Sequence, residues 1–221
     1  GCTACGGNSH DADMRLSFVR HGESEGNRAA RHQERDTPLS EAGRKQAQVL
    51  AERVKHLPVE VILSSSYVRA QETAKIIAAA ANLRVEVVDV LRERKLPSEI
   101  EGKNINDPEV LRVKTLVRER FGDEDRHYAD EENFFDIQKR VTKFWAEVSQ
   151  RPEKHILVVS HGGIVKYIVA VMLFGKALTP SLAQMFFDGI PMASTGLTIC
   201  ERQEDQTTWK LITLNDHAHL G

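Results

Sequence analysis

Short apolar runs alternate with amphipathic helical stretches along this chain, and that alternation constrains its fold more than any other feature. Residues 15–20 (RLSFVR), 59–63, 84–90 (RVEVVDV) and 155–160 (HILVVS) each read as a strand. Helices are predicted over 40–55, over 66–81, from 107 to a stop at Gly122, over a Phe/Trp stripe between Phe134 and Val148, and over 163–174. Ser40 and Ser66 stand where N-caps belong, Asp107-Pro108 is a cap followed by an N1 proline, and Asn82 is a stop. Two late strands, 196–202 and 208–214, flank a polar turn. Strands separated by helices need crossover connections, which cover both faces of a mostly parallel sheet, so an α/β fold is expected. No repeat or Pro/Gly/Ser-rich linker breaks the pattern, and one domain over 14–221 is expected.

Composition excludes several classes. Of 221 residues 41% are hydrophobic and 28% charged, with a net charge of −2, the make-up of a globular protein. Balanced charge without basic-aromatic interleaving argues against nucleic acid or an anionic membrane as partner. The longest apolar run, Tyr167–Phe174, is far short of the roughly 20 residues that span a bilayer and reads as a buried helix. The first residues have neither the basic nor the apolar region of a signal peptide, and 1–13 read as a disordered tail or an expression or translation artefact outside the fold. Cys2 and Cys5 form a CxxC with no βαβ pattern around it, and Cys200 lies in an apolar strand as an inert thiol. A reducing, cytoplasmic setting is expected. GxxxxGK[ST], GxGxxG and HExxH are absent, and the His217/His219 pair fits a frayed terminus better than a metal site.

The chemistry collects where strands end. Strand 15–20 runs into Arg20-His21-Gly22-Glu23, and strand 155–160 into Ser160-His161-Gly162-Gly163. Strand 59–63 leads to Ser64-Ser65-Ser66 with Arg69 one turn on, and strand 84–90 to Leu91-Arg92-Glu93. In a parallel sheet these ends share one edge, so two His, two Arg and one Glu would meet in one crevice. Two guanidinium groups grip the oxygens of a phosphomonoester, a neutral imidazole attacks phosphorus, and a carboxylic acid protonates the leaving oxygen. None of these steps requires a metal or another cofactor. Singly, each piece has a plainer reading: a structural His, an Arg69–Glu72 contact on a helix face, or Glu93 in a solvated charge run. In this order, each placed after a strand, they favour phosphoryl chemistry.

The sequence resembles the histidine phosphatase superfamily, in the branch of cofactor-dependent phosphoglycerate mutases and their phosphatase relatives. The matching segments are 20–27 (RHGESEGN), 37–43 (TPLSEAG) with Gln46-Ala47, Ser64-Ser65 with 69–74 (RAQETA), Leu91-Arg92-Glu93, 159–163 (VSHGG), and Asn215-Asp216 with His219-Leu220. The resemblance implies a three-layer α/β/α sandwich. It makes His21 the nucleophile that becomes phosphohistidine, and gives the phosphoryl group to Arg20, Arg69 and His161, with Asn27 as a supplementary ligand. It makes Glu93 the general acid and later the base that activates water. An acid that must start protonated predicts a rate falling toward alkaline pH.

Residues 94–102 depart from the family by Pro97 and by their length, which leaves Glu99, and more weakly Glu101, as alternative acids. Mutases of this branch carry a Trp after the first motif and a later Asn-Lys-Ala-Glu signature, and neither is present. A phosphatase acting on a small phosphorylated substrate is therefore the expectation. A mutase-type phosphotransferase and a non-catalytic phospho-ligand or protein binder are the alternatives. Substrate choice is expected in 28–35 and in 94–135, read as a pocket rim or cap. There Arg28, Arg31, Arg35, Arg94, Lys95 and Lys103 are candidates for a second anionic group, with a solvated face as the equal alternative.

Overall fold

The computed structural model describes residues 14–203 and 208–221. The tail reading for 1–13 and much of the expected polar turn lie outside the described residues. Among the described residues six strands, β1 (Met14–Arg20), β2 (Val61–Ser64), β3 (Val85–Val87), β4 (His155–Ser160), β5 (Leu197–Arg202) and β6 (Lys210–Asp216), form one sheet in the order β3-β2-β4-β1-β5-β6. The first four are mutually parallel where they pair, and β5 and β6 are antiparallel additions on one side. The sheet is thus mostly parallel, as the alternation of strands and helices requires.

Among the described residues seven α-helices accompany it: α1 (Glu25–Arg28), α2 (Glu41–Val54), α3 (Val68–Ala81), α4 (Pro108–Glu119), α5 (Phe134–Val148), α6 (Gly162–Phe174) and α7 (Pro180–Gly189). The strand period of two divides the core cleanly. Leu16, Phe18, Val61, Leu63, Ile156 and Val158 face α5, α6 and the start of α7. Val19, Ile62, Leu157 and Val159 face Leu50, Ala51 and Val54 of α2 and Ala70, Ala74 and Ile77 of α3. Two helical layers therefore enclose one sheet, and each fully buried Leu, Ile, Val or Phe contributes about 1.5–3 kcal/mol of transfer free energy. A third, smaller cluster (Ile100, Val110, Val113, Val117) forms its own core within 94–135. Cys200 is buried and free, and burial pushes its thiol up to about 12, so it is inert.

Several local expectations need correction. Ser66 does not cap α3: Tyr67 occupies that position without a side-chain cap bond, and Ser66 Oγ instead donates to Asp89. The third strand keeps only Val85–Val87, because the chain turns into a 3₁₀ turn at Asp89–Leu91. α4 ends at Glu119, short of Gly122. α7, which the apolar pattern did not reveal, is capped by Thr179 with Pro180 at its start. The C-terminal residues are not frayed, since Asp216 pairs with Arg53 and the His219 ring meets Thr195 Oγ1 at 3.0 Å. Glu72 bonds Leu39 N and Arg44 rather than Arg69.

Candidate active site

Strand register brings the two histidines together. β1 and β4 pair Arg20 with Ser160, so the next residue of each, His21 and His161, leaves the same sheet edge side by side. Their ring centroids are 5.1 Å apart and both side chains are buried. Arg69 reaches the same point from the first turn of α3, and its Nε donates to His21 Nε2 over 3.2 Å. The loop after β1 is tied to that helix: Gly22 N donates to Thr73 Oγ1, which donates on to Arg69 O. A Cβ on Gly22 would collide with Gly43 O, so α2 packs against this loop only because both positions lack side chains.

The hydrogen bonds assign the His21 tautomer. His21 Nδ1 lies 2.6 Å from Gly22 O, and a carbonyl only accepts, so Nδ1 carries the proton and Nε2 keeps its lone pair. Burial, then Arg69 and Arg20, holds the His21 imidazole well below its ordinary 6.5, so the ring is neutral at pH 7. Ser65 Oγ accepts from Tyr67 N and lies 2.8 Å from His161 Nε2, to which it can donate. The hydroxyl can equally accept from Nε2, so this contact is compatible with either tautomer of His161, whose Nδ1 is a buried atom with no partner among the described residues. Burial first, then His21, Arg69, Arg20 and Arg140, pushes His161 well below 6.5. Burial also lowers Arg20, and takes Arg69 down to about 10, and both stay cationic at neutral pH. Arg20 is anchored to the Met192 carbonyl.

Glu93 does not lie in a solvated run. Its Oε2 accepts from Gly163 N at 3.0 Å and its Oε1 from Ile164 N at 2.9 Å, so the carboxylate sits on the N-terminus of α6, immediately after His161. A Cβ on Gly163 would come within 2.5 Å of Oε1, so this seat requires glycine. Asn27 closes a capping box with Ser24, and its Oδ1 accepts from Ser24 N and Oγ. The amide nitrogen is thereby left as the donor on the cavity wall.

Arg20, His21, Asn27, Arg69 and Glu93 are among the residues lining a cavity of about 510 Å³, whereas His161, fully buried beside His21, is not one of them. Arg31, Arg94, Lys95 and Glu101 also line it, whereas Arg28, Arg35 and Lys103 do not. Glu99 is exposed and bonds the Tyr128 side chain, away from the cavity. Among the described residues no three His, Cys, Asp or Glu are grouped to hold a metal ion.

Sequence reasoning missed the supports. Glu132 takes paired bonds from both Arg92 and Arg140, and Arg140 also donates to the carbonyls of Val90 and Arg92. Glu132 further accepts from Lys95 N. This network clamps the segment that carries Glu93, and no motif near residues 132 or 140 signals it. Tyr67, whose ring faces His161 at 5.1 Å and Arg69 at 5.0 Å, was equally silent.

The family model "Histidine phosphatase superfamily (branch 1)" matches residues 16–217. A Schizosaccharomyces pombe protein named as a probable phosphatase is 31% identical over 215 residues, covering 94% of this chain and 95% of that protein. An Enterobacter protein named as a probable phosphoglycerate mutase is 33% identical over 165 residues, covering 72% and 75%. The solved structure of a mycobacterial glucosyl-3-phosphoglycerate phosphatase with VO3 superposes with a TM-score of 0.75 at 26% identity, covering 91% and 99%. The chain belongs to the histidine phosphatase superfamily, branch 1.

Proposed function

We propose that this protein is a phosphatase that hydrolyses phosphomonoesters through a phosphohistidine on His21. The observation that carries the reading is the state of that ring: a neutral imidazole whose Nε2 lone pair meets Arg69, beside Arg20, on the wall of a cavity. A nucleophile needs that lone pair, and the two guanidinium groups, with His161 beside them once protonated, suit the equatorial oxygens of a phosphoryl group. In the first step Nε2 bonds to phosphorus, the bond to the alcohol oxygen breaks, and Glu93 gives that oxygen a proton. In the second, water attacks phosphorus, the phosphorus–nitrogen bond breaks, and the Glu93 carboxylate takes the water proton. The bound dianion would act on His161 against the surrounding cations and favour its protonated form. Asn27 supplies a further donor to the same group.

The test is turnover of p-nitrophenyl phosphate by wild type and His21→Ala, with trapping of an acid-labile, alkali-stable phosphoenzyme. Wild type should turn over and label, and the variant should do neither. Equal turnover in both, or none in either, overturns the reading and leaves a binding role. The name of the Enterobacter relative favours a second reading, phosphoryl return to a phosphorylated acceptor instead of water. Isomerised product without free phosphate would establish it.

A further inference from the structure

Arg20 stands on the cavity wall beside His21, yet what holds its head lies far away in the chain. Among the described residues its guanidinium pairs with no carboxylate and makes one hydrogen bond, from Nη1 to the Met192 carbonyl. Met192 belongs to the stretch 190–196 that joins α7 to β5. No helix or strand fixes the carbonyls of that stretch, so their places depend on the groups that bond it. Asn215, near the end of β6, bonds it on both sides of Met192. Its Oδ1 accepts from Ala193 N at 2.8 Å, and its Nδ2 donates to Pro191 O at 3.0 Å. One carboxamide thus fastens both neighbours of the carbonyl on which Arg20 rests. Asn215 is itself held, with its N donating to Thr198 Oγ1 at 3.0 Å. The same stretch grips the backbone of the site, since Thr195 N donates to Arg20 O at 2.9 Å. Thr195 sits at a φ of +57°, which a β-branched residue keeps only when its surroundings hold it there, and the His219 ring meets its hydroxyl. Residues 215–219 therefore secure this stretch at Pro191, Ala193 and Thr195.

We infer that Asn215 is a positioning residue for Arg20: its carboxamide fixes the Met192 carbonyl, and that carbonyl fixes the guanidinium where it meets a phosphoryl group. The inference rests on the phosphatase reading and deepens it. A guanidinium is a rigid planar fork, so one nitrogen bound to a fixed carbonyl orients the remaining donors. Donors already aimed at the anion need no reorganisation when it arrives. The plainer reading is that Asn215 only ties one surface loop to β6, in which case its loss would not act through Arg20.

The experiment is a double-mutant cycle read by calorimetric titration with orthovanadate, which probes the phosphoryl site without a leaving group. Asn215→Gly removes the carboxamide and tolerates the φ of +52° found at this position. It should weaken vanadate binding about tenfold or more, the scale of one hydrogen bond to a charged group. Arg20→Lys keeps the charge but not the fork that can hold a carbonyl and an anion together. In that background Asn215→Gly should change the affinity by less than about twofold, the mark of two residues acting through one contact. The same loss in both backgrounds overturns the inference, and so does an unchanged affinity in Asn215→Gly alone. Should Asn215→Gly fail to fold, Asn215→Asp takes its place with the same expectations, because it keeps an acceptor for Ala193 N and loses the donor to Pro191 O. Wild type that binds no vanadate overturns the inference together with the phosphoryl site beneath it. Wild type that binds vanadate but does not turn over p-nitrophenyl phosphate overturns the phosphatase reading alone, and the cycle still decides the part of Asn215.

Discussion

Arg69 Nε lies 3.2 Å from His21 Nε2, and the Arg69 carbonyl also receives the Thr73 hydroxyl that holds the His21–Gly22 loop. The cation that would grip a phosphoryl group is therefore fixed to the ring that would attack it. Burial first, and then that proximity, keeps both histidines neutral, with a consequence for stability. His21 and His161 titrate lower in the folded chain than in the unfolded one. Below pH 6.5 the unfolded chain binds more protons, so stability falls with pH, while above 6.5 the effect is absent. Each histidine adds a slope approaching about 1.4 kcal/mol per pH unit until its folded pKa is reached. Urea unfolding of His161→Gln between pH 6.5 and 5 should show a shallower slope than wild type, and equal slopes would contradict this.

Glu93→Gln should lose about 10²–10⁴ in kcat on alkyl phosphates, whose leaving oxygen needs a proton. The loss on p-nitrophenyl phosphate should be much smaller, because that oxygen leaves as a stable anion. Glu99→Gln should retain wild-type rates, in keeping with its exposed position beside Tyr128. Full alkyl phosphatase activity in Glu93→Gln would remove it as the acid. A wild-type rate flat to pH 9 would count against it too.

Gly163→Ala separates seat from fold. The added methyl falls within 2.5 Å of Glu93 Oε1 and must displace the carboxylate. A displacement on the order of 1 Å is expected to lower kcat about 10²-fold on alkyl phosphates. Alanine is otherwise the better helix residue, so the melting temperature should hold within a few degrees. Unimpaired turnover would mean that the Gly163 and Ile164 amides are not what holds Glu93 for catalysis.

Glu132 clamps the segment that carries Glu93 and is expected to position it. Glu132→Gln leaves Arg92 and Arg140 without their shared anion, and both are mostly shielded from water. Loss of stability on the order of 3 kcal/mol is expected, as for other broken buried pairs. The decisive readout is the ratio of alkyl to aryl phosphate turnover below the melting transition, which should fall as it does in Glu93→Gln. An unchanged ratio would confine Glu132 to a structural role.

Much of the fold was legible because burial imposes periodicity. The β1 and β4 runs, the stripe on α5 and the Ser40 and Asp107 caps stand in the structure where the pattern put them. The helix α7 escaped because Met185, Phe186 and Phe187 are contiguous instead of spaced by three or four, although its Thr179-Pro180 start was readable. Ser66 misled because a Ser before a helix is a cap only when no better partner competes, and Asp89 does.

From the linear order of residues alone came the strand–helix alternation, the placement of His21, His161, Arg69 and Glu93 just past strand ends, and the family. Those depend on local pattern and on which side chains suit a phosphoryl group. Only the tertiary structure decided which tautomer His21 holds, that Glu93 rests on the α6 amides, that Glu132 clamps its segment, and that Asn215 brackets the carbonyl on which Arg20 rests. The tautomer depends on how the backbone turns between His21 and Gly22, and the other three on groups tens of residues apart meeting in space; their strength comes from burial, which no stretch of sequence carries by itself.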